Sequence, residues 1–133
     1  MIPGRYDIII YRDTTYSLPG ISKKDANDVY IDFQADYIDT PGDGDGKIEL
    51  VIRPPWKNRA SETKLDPLYT LSDTIGTIIV ATTVLSLLVP ASVTSAFTFN
   101  EGFYELELYT GDTEPVVDQL LHGKVTVLDR KPL

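Results

Sequence analysis

Residues 102–109 alternate with a period of two, with Tyr104, Leu106 and Leu108 on one side and Phe103, Glu105, Glu107 and Tyr109 on the other. That is the pattern of a half-buried β-strand. A polar turn follows at 111–115, and residues 116–127 supply a second strand, so the pair predicts an antiparallel hairpin; His122 and Gly123 fall at what reads as a hairpin or bulge position. A third segment, 47–53, sends Ile48, Leu50 and Ile52 one way. Residues 6–12, nearly all apolar or aromatic, predict the first strand, and Tyr16 and Leu18 continue the pattern until Pro19 and Gly20 close it. Residues 29–38 alternate too, with Val29, Ile31, Phe33 and Ala35 on one face, and predict a second strand or hairpin. Between them, 22–28 is polar, lacks an apolar stripe and reads as a solvated connection.

From Thr74 to Asn100 no residue is charged. The run is too short for the roughly 20 apolar residues of a spanning helix, is rich in β-branched residues and stops at Pro90. Two buried strands, 76–81 and 84–89, explain it better than a membrane segment. Residues 54–67 are the longest break, since adjacent prolines cannot donate to a ladder, and 90–100 reads as a turn of helix or an irregular crossover. Short strands at steady intervals separated by Gly, Pro and Asp turns predict an all-β fold, an antiparallel Ig-like β-sandwich.

The length, 133 residues, fits a single β-sandwich domain spanning 1–133 with short terminal arms, before Tyr6 and from Asp129 onward. Twenty acidic against twelve basic residues give a net charge of −8, which favours solubility and disfavours nucleic acid as a partner. Without cysteine no disulfide, iron–sulfur or thiolate–zinc site is expected. No signal peptide is expected from the amino-terminal residues.

Few residues stand in a pattern that carries chemistry. The one histidine, His122, has no companion in sequence that marks it as a base and reads as structural. Twenty acids make any pair of carboxylates imaginable, so abundance empties that signal. Asp43 and Asp45 lie in a Gly-rich loop of calcium-binding flavour, but an EF-hand register would put Pro41 first and Ile52 twelfth, which removes both essential ligands. A flexible acidic hairpin is the better reading, with a weak Ca²⁺ site shared with a neighbouring subunit as the alternative. Arg53, Lys57 and Arg59 flank Trp56, the only tryptophan. Partner contact by Trp56, Lys57 and Arg59 and a tryptophan lid on the core stand as equal readings. No catalytic, cofactor-binding or metal site is expected, and the chain is read as no enzyme.

Two motifs carry a resemblance. The chain opens Ile2-Pro-Gly-Arg-Tyr-Asp-Ile8 with Arg12 after the strand, and closes with Gly102-Phe-Tyr-Glu-Leu-Glu-Leu108 and Leu120-Leu-His-Gly-Lys-Val-Thr-Val127. It resembles small β-sandwich proteins of tailed bacteriophage virions, encoded among head, neck and tail genes and related in style to the amino-terminal module of baseplate upper proteins. Where that family's pattern has a glycine after the arginine, this chain has Asp13. The likeness covers most of the chain, and its motifs mark a sandwich rather than a site.

The resemblance implies a non-enzymatic structural component of the virion, in several copies of a symmetric assembly. It would join or decorate larger components such as portal, adaptor, tail or baseplate proteins, with no nucleic acid and no membrane as partner. Arg130 and Lys131, on the tail arm, join Trp56, Lys57 and Arg59 as candidate contacts with neighbours. The alternative is a carbohydrate- or receptor-binding module recognising the host surface, with Trp56 and Tyr69, Tyr109 or Tyr11 as its aromatic platform.

Overall fold

The computed structural model describes residues 4–38, 46–55, 67–73, 77–110 and 117–129. In chain order its strands are β1 (Gly4–Arg5), β2 (Ile8–Tyr11), β3 (Tyr16–Ile21), β4 (Lys47–Arg53), β5 (Tyr69–Ser72), β6 (Ile78–Ala81), β7 (Val84–Val89), β8 (Glu101–Tyr109) and β9 (Val117–Leu128). A single π-helical turn, Gln34–Ile38, and a short helix α1, Ala91–Thr94, are the helical pieces among the described residues.

Two sheets form. The larger runs β1-β9-β8-β4-β5 with β2 also on β9, and the smaller runs β3-β7-β6. In order these are the B, E and D strands of an immunoglobulin-type sandwich opposite its G, F, C and C′ strands, so the fold is an all-β sandwich of Ig-like order. Pairing is antiparallel except that β1 and β2 run parallel to β9, Gly4 beside Leu121 and Ile8 beside Val125. Parallel neighbours need a long connection, and here the rest of the sandwich is that connection.

The predicted alternation places the core. Ile48, Leu50 and Ile52 of β4 and Tyr104, Leu106 and Leu108 of β8 are buried against Leu85, Leu87 and Val89 of β7. Each such apolar side chain contributes about 1.5–3 kcal/mol on burial. The crossover after β7 is pinned by Thr94, whose hydroxyl donates to the Thr14 carbonyl at 2.7 Å.

Several expectations are corrected. Residues 29–38 are not a strand or hairpin: Phe33 and Tyr37, four apart, are the buried pair, a helical spacing, while Val29 and Tyr30 are exposed. Asp32 selects that turn, because its carboxylate accepts from the Ala35 N–H at 3.0 Å and its carbonyl from the Asp36 N–H at 2.9 Å. Local side-chain bonding of this kind competes with a ladder. Pro19 and Gly20 do not end β3 but lie within it, at a register shift between Leu18 and Ile21. β3 is an edge, where a missing N–H is tolerated, and Gly20 takes φ +77°.

The first strand is interrupted at Tyr6 and Asp7. The Tyr6 N–H donates to the His122 carbonyl, and the Asp7 carboxylate accepts from the Lys124 N–H, both at 2.9 Å. Gly4 and Arg5 of the expected amino-terminal arm are strand β1. The bulge near His122 is displaced: Leu106 pairs with Leu121 and Glu107 with Gln119, so Leu120 is the extra residue and Gly123 stays in the ladder opposite Tyr104. β6 and β7 bury one face rather than two, with Ile79 and Leu88 outward. β5 was not expected from sequence, since four residues carry too few alternations to register.

Asp13 has φ +62°, the left-handed conformation that glycine adopts freely and aspartate tolerates. A glycine at this position would hold the same turn without that strain. Asp13→Val is expected to lower stability by about 1.5 kcal/mol, while Asp13→Gly holds or raises it. Urea midpoints of the two variants check this, and equal midpoints would contradict it.

Candidate functional site

The two sheets turn very different outer faces to their surroundings. On the larger sheet, pairing across β4, β8 and β9 sets Arg53 beside Phe103 and Phe103 beside Lys124, then Val51 beside Glu105 and Glu105 beside His122. The next rows bring Glu49 beside Glu107 and Lys47 beside Tyr109. Because side chains alternate across a strand, these residues share the face opposite Tyr104 and Leu106. The face is charged but internally neutralised: Arg53 Nη1 is 3.6 Å from Glu105 Oε2 and Lys47 Nζ 3.0 Å from Glu49 Oε1. Lys47 also lies over the Tyr109 ring. The Tyr109 hydroxyl donates to Glu107, and burial first, then this hydrogen bond, hold its phenol well above the usual tyrosine range.

A pocket of about 320 Å³ opens on this face, lined by Arg53, Phe103, Glu105, Gln119 and His122 with Tyr104 and Gly123. Two of these residues each carry a nitrogen, Arg53 Nε and His122 Nδ1, that is buried with no hydrogen-bond partner among the described residues. A buried polar atom left unpaired costs about 1–3 kcal/mol, and such atoms are rare enough in native proteins that each needs a reason.

The smaller sheet is the opposite. None of the residues of β3, β6 and β7 is charged. On its outer face Ser17 lies across from Leu88, and Ser86 across from Ile79. Ile79 is 46% and Leu88 39% exposed. Among the described residues β6 is an edge strand, of sequence Ile-Ile-Val-Ala, without the lysine or proline that commonly blunts an edge; on the other edge, β3 has Pro19 and its bulge.

Trp56, Lys57, Arg59, Arg130 and Lys131, the contact residues expected from sequence, lie outside the described residues, as do Asp43 and Asp45 of the acidic loop. Among the described residues no group of three or more His, Asp or Glu is placed to hold a metal ion, and no helix is long and apolar enough to cross a membrane. Of the tyrosines expected to form a platform with Trp56, Tyr69 packs edge-on against Phe97 and Tyr109 is engaged with Lys47 and Glu107. The pocket residues Phe103, Glu105 and Gln119 escaped the sequence reading, and Arg53 and His122 were noticed for other reasons. The available signal was the alternation itself, which puts all the acids and the odd aromatic of β8 on its outer side. Neither a comparison with protein-family models nor one with characterised proteins finds a match for this chain.

Proposed function

We propose that the protein is a non-enzymatic structural component of a tailed-phage virion, present in several copies at the neck, tail or baseplate, where it joins or decorates larger components. The observation that carries this reading is the smaller sheet: a three-stranded layer without one charged side chain, on a protein of net charge −8. Solvated sheet faces normally carry charge, and contiguous uncharged surface with exposed aliphatic residues marks a place where another protein packs. The unblunted β6 edge supports the same use, since partner strands add to such edges. The opening and closing motifs support the virion setting.

The test is mass spectrometry on density-purified particles from a lysate, with copy number measured against the major capsid protein, alongside a Leu88→Glu variant supplied in trans. The wild-type chain is expected at a fixed copy number. Leu88→Glu is expected to keep a melting temperature within a few degrees, as exposed substitutions do, and to be depleted from particles at least about tenfold, the effect of about 1.4 kcal/mol lost at one contact. Recovery of the wild-type chain only from the soluble fraction would sink the virion reading; incorporation of both chains alike would move the contact away from the smaller sheet.

A further inference from the structure

We propose that the pocket on the outer face of the larger sheet binds one neutral pyranose unit of a glycan. This is a separate site from the assembly surface, on the opposite sheet, and it does not depend on the virion reading.

The pocket's chemistry selects the class. Arg53 Nε is a donor only, and it is buried without a partner. His122 Nδ1, equally buried and unpaired, accepts in one neutral tautomer and donates in the other. Glu105 supplies carboxylate oxygens and Gln119 both an amide N–H pair and a carbonyl. A ligand that satisfies this lining must donate and accept within a few ångströms, as a ring of vicinal hydroxyls does.

Charge narrows it further. The Arg53 guanidinium already faces Glu105 at 3.6 Å, and the two side chains are only 17% and 31% exposed. An anion would sit against Glu105 and a cation against Arg53 in a setting where screening is weak. A neutral ligand meets neither penalty. The remaining wall is Phe103, 41% exposed on the sheet face, an apolar ring of the kind on which the C–H face of a sugar lies. An opening of about 320 Å³ is at the small end of ligand sites, which suits one sugar ring rather than an extended chain.

The inference is tested by two-dimensional NMR titration of the full chain with glucose, galactose and N-acetylglucosamine separately, and with acetate and inorganic phosphate as charged probes. At least one sugar is expected to give saturable shifts centred on Arg53, Phe103, Glu105, Gln119 and His122, with a dissociation constant on the order of 1 mM. Phe103→Ala and, separately, Gln119→Ala should each weaken it by about tenfold, whereas Leu88→Glu on the other sheet should leave it unchanged. Phe103 and Gln119 lie on the outer face, so both variants are expected to fold, and their spectra report whether they do. Absence of saturable shifts with all three sugars up to about 50 mM, shifts centred elsewhere, or saturation of the same residues by acetate or phosphate would overturn the assignment.

Discussion

Gly123→Ala is expected to destabilise the protein by about 3 kcal/mol, at the upper end of overpacking changes. A Cβ at this position would stand 2.2 Å from the Tyr6 carbonyl oxygen and 2.8 Å from its carbon. Both atoms are backbone, so no side chain can swing aside. The same carbonyl accepts the Tyr104 hydroxyl, and the next residue's carboxylate, Asp7 Oδ1, would be 3.0 Å from the new methyl while holding the Lys124 N–H. Relief therefore requires β1 and β2 to lift from β9, which removes the parallel pairing and uncovers Ile8 and Ile10. Hydrogen exchange should show lost protection at 8–11 before the β4–β8 ladder opens, in the manner of a local unfolding unit. Gly20→Ala is the comparison: nothing lies within 4 Å of its Cβ, and its cost comes only from φ +77°, about 1 kcal/mol. A Gly123→Ala variant within 1 kcal/mol of the parent would show that the amino-terminal strands are not seated as described.

Gly123 also shows where sequence reasoning reaches and where it stops. Alternation predicted β4 and β8 closely, because each has one face against the core and a period of two survives any detail of pairing, while the uncharged apolar run marked β7 and the polar turn after β8 marked β9. It mistook 29–38 for a strand because Val29, Ile31, Phe33 and Ala35 satisfy period two while Phe33 and Tyr37 satisfy a helical spacing. The deciding contact, Asp32 bonding the turn, is a polar detail that hydrophobic patterning does not weigh. Tyr37 then ties that turn to β9 through Asp118 at 2.9 Å, a partner 81 residues away. The pocket was illegible for the same reason. Arg53, Glu105 and His122 come from three strands, and only their register makes them neighbours; even the position of the β9 bulge, at Leu120 rather than at His122 and Gly123, had to be fixed by pairing. The uncharged smaller sheet was half legible. The run from Thr74 to Asn100 announced β6 and β7, but that β3 would join them, and that Ile79 and Leu88 would face outward, followed only from the topology.

Arg12→Met should cost about 2–3 kcal/mol, the range for removing a charged donor from part-buried acceptors. Arg12 follows β2 directly, and its guanidinium reaches four groups. Nε donates to the Phe97 carbonyl at 2.9 Å, Nη2 to the Phe99 carbonyl and the Asn100 side chain at 2.8 Å each, and Nη1 to Asp129 at 2.9 Å. Its backbone N–H adds a bond to the Leu128 carbonyl at 2.8 Å. One side chain thus ties the crossover that follows α1 to the ends of β2 and β9, which their parallel ladder already holds side by side. Methionine keeps most of the apolar stem and removes the donors, which leaves the Phe97 and Phe99 carbonyls unsatisfied. Arg12→Lys should recover less than half of the loss, since a single ammonium cannot present donors in the several fixed directions of the planar fork. Asp129→Asn should change little, because that carboxylate is 92% exposed and exposed ion pairs contribute little. The order of urea midpoints, Asp129→Asn near the parent, then Arg12→Lys, then Arg12→Met, distinguishes a carbonyl clamp from a surface ion pair. If Asp129→Asn fell as far as Arg12→Met, the ion pair would be the important term and the two carbonyls incidental. Under the clamp, the arginine after the first strand holds the crossover to the sandwich whatever the outer faces bind.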